Sequence, residues 1–146
     1  MELVGPSDLT FIVEPGVLDE RARLAFGTGQ CHGLAIALHR RCGWQLVAVD
    51  DKTGTCVHVC VRRPDGRLID ANGAHAPEDF APDTTYRDID EDSVDDLVEH
   101  EDWAVPEAEK AAAWVDAIIG QASESPAFRA PRKNAVMRLT RTYGDF

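Results

Sequence analysis

The chain of 146 residues is short of cations, short of aromatics at 7%, and has no long apolar run. Fifteen Lys and Arg stand against 26 Asp and Glu, a net charge of −11. That balance excludes a nucleic-acid backbone or an anionic membrane as the main partner, because both repel such a surface. No stretch approaches the roughly 20 apolar residues of a membrane-spanning helix. The opening MELVGPSDLTF lacks the basic and apolar regions of a secretory signal. A cytoplasmic chain with reduced thiols is therefore expected. The four cysteines, Cys31, Cys42, Cys56 and Cys60, form no CxxC pair.

What is present fits one domain over 1–146, with 44% hydrophobic and 28% charged residues. A chain of this length buries roughly two-thirds of its unfolded surface, enough for a core without disulfides or a structural metal. Residues 10–13 read as a strand and 18–26 as a short helix broken by Gly27-Thr28-Gly29. Residues 31–41 read as a helix, with Leu34, Ala35, Leu38 and the stem of Arg41 at helical spacing and Gly43 at its end. Residues 45–49 read as a strand.

Residues 56–62 and 67–71 read as a hairpin around Pro64-Asp65-Gly66, where proline and glycine supply the turn dihedrals. A three-residue loop closed by Arg63 opposite Arg67 sets Cys60 against Asp70 and His58 against Asn72. Alternation then gives Val57, Val59, Val61, Ile69 and Ala71 one face, the core, and His58, Cys60, Asp70 and Asn72 the other. Residues 78–109 hold 14 acids and one base, Arg87, and read as a solvated loop and helix face. Pro106 opens a second amphipathic helix to about Gln121, with Ala108, Ala111, Ala112, Val115, Ile118 and Ile119 on its apolar side. Residues 123–133 read as loop. Residues 134–143 fit strand or helix, and carry Arg138 and Arg141, placed to dock on the acidic segment.

The string Gly27-Thr28-Gly29-Gln30-Cys31 puts a cysteine at the first turn of a helix. Unpaired N–H groups and the helix dipole favour a thiolate there. The thiolate is the form that attacks an acyl carbon. The Cys31 N–H and the Gln30 amide are candidates to hold an oxyanion, and His32 is a candidate to face substrate. His58 on its strand and Asp70 diagonally across the hairpin supply an imidazole and a carboxylate to orient it. Asn72, opposite His58, is the alternative orienter, and Cys60 a wall of the site. Cys42 and Cys56 read as packing, His100 as locally paired, and His39 and His75 as solvated, with His75 close enough in sequence to line the site as its alternative. Trp44, Trp103 and Trp114 read as core or rim. Cys56, His58 and Cys60 alternate on one face, but adjacent residues of one strand do not converge on a tetrahedral ion. No metal or cofactor is called for.

The segment Gly29-Gln30-Cys31 before a helix, Gly43-Trp44 before a strand, His58-Val59-Cys60-Val61 and Asp65-Gly66-Arg67-Leu68-Ile69-Asp70 resembles the transglutaminase-like branch of the papain-like cysteine protease superfamily. The resemblance covers about residues 24–73. It implies an α+β fold in which the nucleophile helix packs on an antiparallel sheet; the acidic, helical part over about 78–146, with its additional C-terminal helix, lies outside the resemblance. It implies a Cys31, His58, Asp70 triad for acyl transfer, amide hydrolysis or deamidation, acting on a protein, peptide or small amide. The alternative is a non-catalytic binding or immunity-type module of the same fold, whose acidic segment docks a basic protein partner.

Overall fold

The computed structural model describes residues 1–79 and 83–122. The loop and tail expected over 123–143 lie outside the described residues. The chain is α+β. At its centre is a helix, α2 (Cys31–Cys42), whose first eight residues are all buried. It stops at Gly43, which takes the left-handed φ of 71° that a helix cap favours and bonds back to His39 O. Before it comes α1 (Glu20–Thr28), capped by Asp19, whose side chain accepts from Ala22 N. α1 runs two residues past its expected end, and Gly29 rather than Gly27 stops it.

Beside α2 lies a five-stranded antiparallel sheet in the order β6-β5-β4-β3-β7. Its strands are β3 (Gln45–Asp50), β4 (Cys56–Arg62), β5 (Leu68–Asp70), β6 (Gly73–His75) and β7 (Thr85–Asp88). A separate pair, β1 (Glu2–Val4) and β2 (Thr10–Ile12), is also antiparallel. Leu34, Ala35 and Leu38 of α2 share one core with Leu46, Ala48, Val59, Val61 and Ile69 of the sheet. Val47, Val49, Val57, Cys60 and Leu68 form a second, smaller cluster. Arg41, expected on the buried stripe, is exposed and pairs with Asp116 instead. Among the described residues no helix is long and apolar enough to cross a membrane.

The β4–β5 hairpin has the expected register. Val61 faces Ile69 and Arg62 faces Leu68, while Arg63 N–H donates to Arg67 O at 2.9 Å and Gly66 N–H to Arg63 O at 2.8 Å. The faces depart from strict alternation at one place. Val49 of β3 faces His58, and the next residue, Asp50, faces Cys56. Val57 is therefore the extra residue of a β-bulge, and the alternation resets across it. Val57 joins the cluster of Cys60 and Leu68, and Cys56 joins that of Val59 and Val61.

The acidic segment holds, among the described residues, a strand and a helix between its ends. β7 is an edge strand with all four residues exposed, held by backbone pairing to β3 and by the ion pairs Arg87–Asp50 and Arg62–Asp88. α3 (Glu91–His100) is capped by Asp90 and buries Val94 and Leu97. The helix expected from Pro106 is broken into α4 (Ala108–Ala111), a 3-10 turn over Ala112–Trp114, and α5 (Val115–Ala122). Ala111, Trp114, Val115, Ile118 and Ala122 are buried at the spacing of one continuous helical face, and Ala112 is exposed. Trp114 meets Phe26 edge-on at 5.0 Å, and its indole N–H donates to Val17 O.

Gly33 shows how tightly α2 is enclosed. A Cβ there would meet Gln30 Oε1 at 2.4 Å and the Glu107 backbone nitrogen at 3.1 Å. Gly33→Ala is expected to destabilise the fold by about 1–3 kcal/mol, the usual range for overpacking. Urea unfolding should show the loss as a lower midpoint at unchanged slope.

Candidate active site

The approach to Cys31 is built by close backbone contact. Gln30 N–H donates to Ala25 O at 2.9 Å as α1 ends. Gly29 has no room for a side chain, since a Cβ would lie 2.9 Å from both Gly5 Cα and the Phe11 ring. The chain can thus turn directly from α1 into α2 and set Cys31 at the first residue of the new helix. Its N–H belongs to the first turn, where no carbonyl of the same helix can accept it.

A line of ionisable groups runs from the sheet to this thiol. Asp70, 5% exposed, takes His58 Nε2–H on Oδ2 at 3.0 Å and His75 Nε2–H on Oδ1 at 2.9 Å. The Asn72 backbone N–H also donates to Oδ1, at 2.8 Å. A carboxylate only accepts, so each Nε2 carries the proton. With Nε2 of His58 committed to Asp70, Nδ1 is the ring nitrogen left to act on the Cys31 thiol, whose pKa this imidazole lowers. His32, next in sequence, also lowers the thiol, and its Nε2–H donates to Ala104 O at 2.5 Å.

Electrostatics follow this geometry. Burial alone pushes the Cys31 thiol up, but hydrogen bonds from His32 and His58, and their charges, bring it from the ordinary 9.0 down to about 5. Burial pushes His58 down, yet Asp70 and the Cys31 thiolate raise it from 6.5 to about 10. Asp70 is held well below the ordinary carboxylate range: burial opposes this, and His75 and His58 overcome it. The other buried thiols go the opposite way. Burial and the neighbouring negative charge of Cys31 lift Cys56 to about 12, and burial beside Asp70 lifts Cys60 well above 9.0. All four cysteines are free thiols.

The remaining candidates, Gln30, His32, Cys60 and Asn72, are all buried. Gln30 is fully buried and spends its side chain on packing polar backbone. Its Nε2 donates to Val4 O at 2.6 Å and Val105 O at 2.9 Å, and its Oε1 accepts from Glu107 N–H at 2.9 Å. Both amide hydrogens are used, so the side chain has none left for an oxyanion. His32, 1% exposed and edge-on to Trp103 at 5.1 Å, likewise ties down the loop of Ala104 rather than facing solvent. Cys60 is buried against Asp70 and Ile69, and the Asn72 backbone, not its side chain, supports Asp70.

His75, expected to be solvated, is 2% exposed and holds Asp70. The available signal was Asn72-Gly73. Those residues turn the chain into β6, where Asp70 faces Gly73 and His75 falls on the diagonal.

A cleft of about 720 Å³ opens onto Cys31 and Cys56. One wall is the segment Pro6–Leu9, the other Glu101–Ala104. Ser7, Asp8 and Asp102 in these walls have φ of 57°, 61° and 57°, a conformation that non-glycine residues adopt rarely and often near functional sites. No protein-family model, curated protein or solved structure matches the chain.

The signs of the shifts define a pH window. A thiol lowered to about 5 loses its charge as pH falls through that value. An imidazole raised to about 10 loses its proton as pH rises through that one. The thiolate–imidazolium pair is therefore intact between about pH 5 and pH 10. Iodoacetamide labelling, mapped by peptide mass, is expected to find Cys31 reactive with a midpoint near pH 5. Cys56 and Cys60 should stay unlabelled through neutrality.

Proposed function

We propose that the protein is a cysteine-dependent acyl-transfer enzyme of the transglutaminase-like, papain-like kind. Cys31 is the nucleophile, His58 the general acid and base, and Asp70 the residue that orients His58. The observation that carries this reading is one buried line, Asp70 to His58 to Cys31, ending at a thiol lowered to about 5 on the floor of an open cleft. Perturbed thiols, imidazoles and carboxylates gathered at a cleft mark candidate sites of catalysis.

The reaction begins with the thiolate. The Cys31 sulfur forms a bond to the carbonyl carbon of an amide, and the carbonyl π electrons move to oxygen. The first-turn N–H of Cys31 is placed to stabilise that oxyanion. As the oxyanion collapses, the C–N bond breaks and the His58 imidazolium gives its Nδ1 proton to the leaving amine. His58, now neutral, accepts a proton from an incoming water or amine, whose lone pair attacks the thioester. The C–S bond breaks, and the acid or new amide leaves with Cys31 restored as thiolate beside protonated His58. Throughout, Asp70 keeps Nε2 protonated and Nδ1 toward the sulfur.

The exposed acids of α3, Asp92, Asp95, Asp96 and Glu99, favour a second reading, a non-catalytic module that docks a basic protein. The two readings separate at Cys31. Screening the purified protein with amide and ester substrates should give turnover that falls at least about 10³-fold in Cys31→Ala, with unchanged circular dichroism. Undiminished turnover in the variant removes Cys31 from the chemistry. Salt-sensitive capture of a basic protein, indifferent to Cys31→Ala, favours the module.

A further inference from the structure

The cleft over Cys31 is charged on one side of the scale only. Asp8 stands on one wall, Glu101 and Asp102 on the other, and among the described residues no Lys, Arg or His lines it. All three carboxylates are exposed, and none forms an ion pair among the described residues. Other grooves of the molecule are built otherwise. The groove along the far side of α2 sets Arg40 and Lys110 among its acids, and the one beside Trp44 holds Arg62 and Arg63. These acids line the same cleft as Cys31, which is 4% exposed. A ligand that reaches the sulfur through the cleft therefore meets their field. A cleft lined by charge of one sign concentrates ligands of the other sign and repels its own. Pro6, Leu9 and Trp103 add apolar wall, which suits the aliphatic stem of a lysine or arginine side chain.

We propose that the substrate is a cationic amide: a peptide with lysine or arginine side chains flanking the acyl group that Cys31 attacks, selected by Asp8, Glu101 and Asp102. This rests on the reading of Cys31 as nucleophile and names its substrate class. Acidic peptides of the same length are excluded by the same charges.

Thiol probes that differ in charge test the cleft without a known substrate. Cationic 2-(trimethylammonio)ethyl methanethiosulfonate, anionic 2-sulfonatoethyl methanethiosulfonate and neutral methyl methanethiosulfonate are reacted with the full chain at pH 7, and modification of Cys31 is followed by peptide mass. With each rate divided by that of the same probe with free 2-mercaptoethanol, the cationic probe should outrun the anionic one at low salt by at least about tenfold. The ratio should shrink in 0.5 M salt and collapse toward one in Asp8→Asn/Glu101→Gln/Asp102→Asn. Asparagine suits the positive φ at Asp8 and Asp102 as well as aspartate does, and Glu101→Gln alone should give part of the collapse. A control, Asp95→Asn/Asp96→Asn/Glu99→Gln, removes equal charge from α3 and should keep the ratio.

If the neutral probe labels Cys31 readily but the charged probes react equally, the charge selection is overturned and the nucleophile stands. If the α3 control loses the ratio as fully as the cleft variant, the selection belongs to overall charge and the proposal also fails. If the neutral probe does not prefer Cys31 over Cys42, the nucleophile reading falls, and the substrate class falls with it.

Discussion

A carboxylate shut away from water must be held by donors, and much of this site depends on how Asp70 is held. Leaving a buried charge unpaired costs several kcal/mol. Asp70 meets that demand with two imidazole N–H groups and a backbone N–H. Satisfying it fixes the His58 tautomer, which directs Nδ1 to Cys31 and makes a thiolate the favoured form. The order of cause runs from sheet to helix. The β4–β5 register brings Asp70 near His58, the turn into β6 brings His75 behind Asp70, and only then does the thiol at the helix start acquire its partner.

The first turn of α2 serves two ends with four consecutive residues. Cys31 faces the cleft. Gln30 and His32 on either side pin residues 104–107, and so hold the wall above the thiol. Gly33 leaves room for Glu107 and the Gln30 amide to close in. Wall and nucleophile are thus positioned by the same short segment, so a change at Gln30 should disturb the cleft through the loop rather than through an oxyanion.

The parts legible in the sequence are those set by short-range rules. Pro64-Asp65-Gly66 determines its own turn, so the hairpin register and the nearness of His58 to Asp70 could be read directly. The span of α2 followed from its apolar spacing and from Gly43. The bulge at Val57 was not legible, because it arises where β3 and β4 fall out of step and neither strand signals it alone. β7 was hidden for a related reason. An edge strand with four exposed residues has no apolar alternation, and its pairing with β3 is a backbone matter. Gln30 looked like an oxyanion donor because its partners, Val4, Val105 and Glu107, are remote in sequence.

The net charge of −11 bears on the site in two distinct ways. Negative charge near a cysteine opposes its ionisation, so the acidic cleft cannot be what lowers Cys31. Two imidazoles in hydrogen-bond contact within the buried interior do so, because at about 4 Å and an effective dielectric near 20 a unit charge acts with about 4 kcal/mol. The exposed acids of the rim act through water and salt, where screening sets in within roughly 8–10 Å. Short-range contacts therefore set the state of the nucleophile, and the long-range field is left to act on whatever approaches it. Reactivity and selection come from different groups at different ranges, so changing the rim carboxylates should alter which molecule arrives while leaving the thiolate itself in place.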